Sequence, residues 1–434
     1  HGCITSDVSV HALNIKSKTI LALFTSVVSL FSSEGIFEMA SSHKMKKRRI
    51  GILTGGGDVQ PLNAVLAAAQ EAAQQNRIDL IGFYRGWQGI FDKSFVSLSR
   101  KHVPKEIGGT FLRSSRVNAA RVENGALLIR RNLQEMNVDG LIVIGGEDTL
   151  SNSFLLKDYP QVLISKTIDN DVGIVHRKNR RFAVSDIVNH FTLGHPSAAR
   201  KISSFISVQE GIRTTAYSHE RIMVVESMGM HAGWLAMSSC MGNPDFIILP
   251  EFPLKYDTFL QRVADRYAKN RNIIIVVAEG ARWEGGSYMS ADDTEKDNFG
   301  HPRFRGAASI LSARLKKDLQ NRFDTRNVNA VNPSYWYRSG RPCALDLRCG
   351  SLLGKKAVQY LLSNPGESIF LGLKYVKGKF LPQKRALATI ANIEEFHRFI
   401  DDRMYNPDQL CATRGARSYW KTIVPEYANI SYGL

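Results

Sequence analysis

From residue 49 onward, short runs that are apolar at nearly every position alternate with longer stretches whose apolar side chains recur every third or fourth residue. A short apolar run between turn signals predicts a strand buried on both faces, and the wider spacing predicts a helix with one buried stripe. Such runs stand at 50–53, 141–144, 162–164, 222–225 and 273–277. Leu62, Val65, Leu66 and Ala69 share one helical face behind Pro61, which suits the first helical position. A helix through the leucines after Thr149 and another near 256–268 are predicted on the same grounds. The alternation predicts an α/β fold: two Rossmann-like lobes with mainly parallel sheets and a cleft between them. Polar segments at 172–186 and 283–305 predict surface loops or a flap.

The turns at the strand ends carry the chemistry. In the first lobe they read Thr54-Gly55-Gly56-Gly57-Asp58, Gly145-Gly146-Glu147-Asp148-Thr149 and Ser165-Lys166-Thr167-Ile168-Asp169-Asn170-Asp171. In the second lobe Met228-Gly229 and Glu279-Gly280 follow two strands. Glycine turns at the carboxyl ends of neighbouring parallel strands aim backbone N–H groups and helix N-termini at one crevice, a ready anion site. Carboxylates beside phosphate are useful when Mg2+ bridges the two, or when one of them takes a proton from a hydroxyl nucleophile. Asp171 admits a second use, as a structural carboxylate capping its own turn.

Composition narrows the partners without choosing one. Lys and Arg number 57 against 40 Asp and Glu, and the resulting +17 suits a sugar phosphate, a phosphate donor or a nucleic acid. The basic runs at 44–49 and 177–181 lack an aromatic platform, so they are read as solvated surface and no nucleic-acid partner is expected. The cysteines Cys3, Cys240, Cys343, Cys349 and Cys411 have neither metal-ligand nor disulfide-framework spacing, which predicts a reducing, cytoplasmic setting. The apolar stretch at 20–31, preceded by Lys16 and Lys18, is shorter than the roughly 20 residues of a bilayer span. It has the length of a signal h-region, but no methionine precedes Met39, and residues 1–38 are set aside as a remnant or as translated untranslated sequence. No membrane partner is expected, and residues 1–47 are read as an N-terminal extension.

The run TIDND at 167–171 resembles the catalytic motif of the phosphofructokinase family, and GGEDT at 145–149 resembles its metal and donor loop. GGTFLRSSR at 108–116, SHERIMVVESMGMHAGW at 218–234 and AEG at 278–280 follow in the family's order, so the likeness covers roughly 49–362. It implies a glycolytic transferase in which Asp169 is the catalytic base toward the 1-hydroxyl of fructose 6-phosphate, supported by Lys166 and Asp148. Gly56, Gly57, Arg116, Gly146 and Thr149 would bind the donor, and Glu147 would hold Mg2+. Thr167, Asp171, Met228, Gly229, Glu279 and Tyr335 would line the sugar-phosphate side. Arg221 and Arg338 would grip the 6-phosphate, Arg221 across a subunit interface of a homodimer or homotetramer.

Members that use ATP usually carry glycine where Asp148 and Lys166 stand, and this pair resembles the pyrophosphate-using type. An aspartate fills space that a nucleotide's inner phosphate needs, and a lysine supplies charge to a small, highly charged donor. The alternatives are an ATP-dependent enzyme and a catalytically weak regulatory paralogue. Pro61 and Met230 depart from the family pattern, Met230 standing in place of an arginine, and Arg113 is expected to supply part of the missing charge. The expected organisation is a donor-binding lobe at 48–190 completed by about 346–400, a sugar-phosphate-binding lobe at 191–345 and a C-terminal tail at 401–434. Residues 407–434 are left open between oligomer contact, disorder and sequence artefact.

Overall fold

The structure, a computed structural model, describes residues 47–174, 182–296, 302–304 and 306–428. The extension before residue 47 and the basic run at 177–181 lie outside the described residues. In chain order the strands are β1 (Arg49–Thr54), β2 (Asp79–Phe83), β3 (Phe95–Ser97), β4 (Gly140–Gly145), β5 (Gln161–Thr167), β6 (Leu193–Gly194) and β7 (Ile222–Ser227). They continue with β8 (Phe246–Ile248), β9 (Ile273–Ala278), β10 (Ala291–Lys296), β11 (Pro302–Phe304), β12 (Val328–Val331), β13 (Ser368–Val376) and β14 (Lys379–Ala386).

One sheet has the order β14-β13-β5-β4-β1-β2-β3, with β6 beside β5. Its pairs are parallel except β2 with β3 and β13 with β14 at the two edges. The second sheet, β12-β7-β9-β8, is parallel throughout. Every residue of β4, β7 and β9 is buried, which is why their sequences are near-continuous apolar runs rather than alternating ones, with only Glu226 and Ser227 at the end of β7 polar. Parallel pairing puts the carboxyl ends of β1, β4 and β5 side by side, and with them the three turns that carry glycine and carboxylate.

After the second sheet is complete the chain returns to the first. The helix Ala344–Ser363 packs on the helix Leu62–Gln75 through Gly354, whose hydrogen leaves room for the Val65 carbonyl that any Cβ would strike. Buried Asp346 on the returning helix accepts from the backbone N–H groups of Gly194 (3.0 Å) and Ser197 (2.9 Å). That carboxylate caps the helix His195–Ile206, which joins one sheet to the other, and a negative group at a helix N-terminus is favourable.

Three local expectations change. Pro61 caps the helix rather than starting it, its carbonyl accepting from Ala64 and Val65. The helix after Thr149 is one short α segment, Glu147–Ser151, running into the 3-10 turn Asn152–Leu156. There Gln161 Nε2 takes the carbonyls of Ser153 and Leu156, and Asn152 bonds Ala119 and Val117, so the side chains compete with a regular helix. Within 283–305, β10 and β11 form an antiparallel pair.

Residues 401–428 are part of the packed structure. Trp420 and Tyr405 are about as buried as any core residue, and Trp420 lies 5.2 Å from Trp234, ring to ring. Pattern reading misses this segment because its anchors are isolated aromatics without helical or strand spacing. Truncation in the form Trp420→Ala is expected to cost about 3–5 kcal/mol, read from the urea midpoint, as for large aromatics deleted from cores. A loss under about 1 kcal/mol would show that the segment is not held by its core face.

Candidate active site

The first glycine turn follows β1 because its neighbours leave no room for side chains. A Cβ on Gly55 would come within 2.6 Å of the Thr149 side chain, and Gly56 has the left-handed φ of +75°. Gly55 N–H donates to the Ile144 carbonyl (3.0 Å) and Gly56 N–H to that of Ser115 (3.1 Å), which brings the segment bearing exposed Arg116 against the turn. Thr149 itself is buried between the two glycine turns, its carbonyl accepting from Trp87 Nε1 at 2.9 Å. Gly146 precedes the short helix that carries Glu147 and Asp148 in its first turn.

Lys166, the penultimate residue of β5, is buried and donates through Nζ to the Gly57 carbonyl. Burial, then the charge of Arg338, pulls its pKa down to about 7. Past Thr167 the chain turns sharply at Asn170, which takes φ +55°, a conformation asparagine tolerates. Asp169 N–H donates to Thr167 Oγ1 (3.1 Å), while Oδ1 of Asp169 and Oδ1 of Asp171 are buried without a hydrogen-bond partner among the described residues. Burial raises the Asp169 pKa to about 7, with the Asp171 charge adding to it. Burial and the charge of Glu147 raise that of Asp171 to about 6.

The second sheet brings Glu279 to the same place. Its Oε1 accepts from Gly229 N–H (3.0 Å), and burial followed by the Asp169 charge raises its pKa to about 7. The Met228 carbonyl accepts from Ser227 Oγ at 2.8 Å. Arg338 crosses to the first glycine turn, donating from Nε to the Asp58 carbonyl (3.1 Å) with the Asp58 carboxylate 3.6 Å away. The guanidinium occupies the space a Gly57 side chain would need. Tyr335 is exposed, its ring 6.0 Å from the Arg338 guanidinium.

Lys166, Asp169, Asp171, Glu147, Asp148, Glu279, Arg116 and Arg338 are therefore joined by a chain of charge interactions around the turn after β5, each interacting with Lys166, Asp169 or Asp171. Arg221 is not among them. It precedes β7 at the amino end, roughly 20 Å of strand from Ser227, and donates to Thr215 Oγ1 at 2.6 Å. Arg113 is exposed with φ +59°. Met230 lines a cavity of about 450 Å3 with Glu147, His231, Glu251, Arg282 and His397. Sequence reading passed over Asn170, Thr192, His195, Arg398 and Tyr419; only Asn170 carried a local signal, as a left-handed turn residue between two aspartates.

Among the described residues no three His, Cys, Asp or Glu side chains converge to hold a metal alone. The orphaned Oδ1 of Asp171, within reach of the Glu147 charge, does suit Mg2+, which binds through one or two carboxylates together with water and substrate phosphate. Among the same residues no helix is long and apolar enough to cross a membrane.

A phosphofructokinase family model matches residues 49–361. The chain is 35% identical over 337 residues to the pyrophosphate–fructose 6-phosphate 1-phosphotransferase of Dictyoglomus thermophilum, covering 76% of this chain and 90% of that one. It is also 35% identical over 318 residues to ATP-dependent 6-phosphofructokinase 3 of Streptomyces coelicolor, covering 72% and 86%. The fold is similar to that of the pyrophosphate-dependent phosphofructokinase from Marinobacter aquaeolei, with a TM-score of 0.70, 18% identity and coverage of 89% and 94%.

The raised pKa of Asp169 has a consequence for stability. An unfolded aspartate ionises near pH 4, whereas the folded chain holds this proton to about pH 7. The stabilisation from protonated Asp169 is fully present below about pH 4 and is lost as pH rises through about 7. Asp169→Asn is expected to raise the thermal midpoint above wild type at about pH 8 and to leave it near wild type at about pH 4. Equal shifts at both pH values would contradict the burial of an ionising carboxylate.

Proposed function

The chain belongs to the phosphofructokinase family, and we propose that it transfers a phosphoryl group from Mg–pyrophosphate to the 1-hydroxyl of fructose 6-phosphate, giving fructose 1,6-bisphosphate in a reversible glycolytic step in the cytoplasm. The observation that carries the donor assignment is the position of Lys166. Its Nζ bonds the Gly57 carbonyl and stands 3.2 Å from where a Gly56 side chain would begin, so it occupies the floor of the glycine turn. An amine there leaves less depth for a nucleotide's inner phosphate and provides a cation for a compact polyanion. With its pKa near 7, Lys166 gains a proton when a polyanion binds beside it.

Asp169 acts as base. Burial and the neighbouring Asp171 charge raise its pKa, which makes this carboxylate a stronger base toward the attacking hydroxyl than an exposed aspartate. Glu279 orients the sugar hydroxyls. Arg338 gives up its part-exposed pairing with Asp58, an interaction of little net worth, for a charge-assisted bond to the 6-phosphate. Glu147 and Asp171 would hold Mg2+, which offsets the charge of the donor phosphates when bound. Arg221, at the far end of β7, serves the site of a neighbouring copy in a homodimer or homotetramer.

Two other readings rest on specific observations. The ATP-dependent name of an equally identical relative supports ATP as donor. Methionine at 230 beside Glu147 supports a catalytically weak regulatory paralogue. Steady-state turnover of fructose 6-phosphate by the chain from Met39, with Mg2+ and either donor, separates all three, with Asp169→Ala as blank. Turnover with pyrophosphate is expected. Turnover with ATP alone would replace the donor, and none with either would replace the enzyme by the paralogue.

A further inference from the structure

The turn that carries Asp169 is gripped from behind at almost every residue. Thr192 Oγ1 donates to the Thr167 carbonyl (2.7 Å), and His195 Nδ1 stands 2.8 Å from the Ile168 carbonyl. Burial lowers the His195 pKa to about 3, so the ring is neutral and its Nδ1–H makes this bond. Asn170 accepts from Thr192 N–H (2.9 Å) and donates through Nδ2 to the Tyr419 hydroxyl (3.1 Å). The Asp171 carbonyl accepts from Arg398 N–H at 2.6 Å.

The last two partners come from the chain after residue 361, outside the family match. Arg398 is wholly buried, and among the described residues no carboxylate hydrogen-bonds its guanidinium, although the charge of Asp171 is within electrostatic reach. Nη1 donates to the carbonyls of Asn189 and His190, both at 2.8 Å, and Nη2 to the Tyr419 hydroxyl at 3.0 Å. The guanidinium lies 4.3 Å from the Trp234 ring, and Trp234 Nε1 donates to the Arg398 carbonyl at 3.2 Å. The Tyr419 hydroxyl donates onward to the His190 carbonyl at 2.6 Å. A buried cation held by neutral carbonyls and an aromatic face is costly to place, so its energetic return must lie in what it holds.

We infer that Arg398 and Tyr419 are positioning residues for Asp169, with the C-terminal segment serving as a brace that fixes the 167–171 turn through Asn170 and the Asp171 carbonyl. Arg398 ties the 189–190 backbone to the Tyr419 hydroxyl, and that hydroxyl holds the asparagine at the apex of the turn. The catalytic aspartate can then leave one oxygen unbonded without rotating away. This role rests on the proposed use of Asp169 as base, and its test includes a readout independent of turnover.

Tyr419→Phe removes one oxygen and keeps the stack with Trp234 and Trp420, so it spares the fold; Arg398→Met and Arg398→Lys accompany it in the full chain. Expected are a kcat lowered about 3- to 10-fold for Tyr419→Phe and about 10- to 100-fold for Arg398→Met, with partial recovery in Arg398→Lys. The KM for fructose 6-phosphate is expected to stay within about threefold, because the sugar contacts are untouched. Hydrogen exchange at the amides of 169–173 is expected to quicken about tenfold in Tyr419→Phe while β1 and β4 keep their protection. An unchanged kcat with unchanged exchange at the turn would overturn the inference, as would a uniform loss of protection across the chain. If wild type turns over neither donor, the proposed reaction falls, and exchange at the turn alone decides whether the brace exists.

Discussion

The structure depends on keeping several ionisable groups together in one poorly hydrated cleft. Asp169, Asp171 and Glu279 repel one another there, and Lys166 and Arg338 offset the repulsion only in part, which is why burial raises three carboxylate pKa values toward 6 or 7 and lowers that of the lysine. Such an arrangement weakens the fold at neutral pH, the pattern of a functional site rather than of a stabilising one. The rest of the chain is organised to tolerate it. Two parallel sheets turn their carboxyl ends to the cleft, and the stabilising area lies behind them in fully buried strands.

Each sheet contributes one half of the charge balance. The first supplies the glycine turns, the lysine and two aspartates; the second supplies Glu279 and Arg338, which reaches back to Asp58. The chain then recrosses to the first sheet, where Gly354 allows close helix packing and Asp346 caps the connecting helix. The C-terminal segment closes the rear of the 167–171 turn with Tyr419, Trp420 and Arg398. On the proposed role of Asp169 as base, rigidity behind the turn keeps the alignment on which proton transfer depends.

Much of this was legible in the sequence, and the reason is local. Strands covered on both faces are apolar along most of their length, so 141–144, 222–225 and 273–277 stood out within a residue or two of β4, β7 and β9. The TIDND and GGEDT runs were legible as strand-end turns because glycine and short polar residues mark the chain reversals after buried strands. What escaped was long-range. Arg398 and Tyr419 reach the turn across more than two hundred residues, and neither carries a local pattern that announces burial. Arg338 was assigned to a phosphate, and its contact with Asp58 across the cleft had no sequence signal. Arg221 sits at the opposite end of β7 from the site, a separation that motif order alone does not display.

In the proposed reaction Asp169 passes a proton to and from the sugar oxygen while phosphate moves to and from pyrophosphate. Running the reaction backward tests it most directly. Phosphorus NMR would follow the wild-type chain given fructose 1,6-bisphosphate, orthophosphate and Mg2+, beside Asp169→Ala under the same conditions. A growing pyrophosphate signal is expected with wild type and none above background with the variant. Pyrophosphate formed at the same rate by both would contradict the role of Asp169, and none formed by a wild-type chain that is active with ATP would contradict the donor.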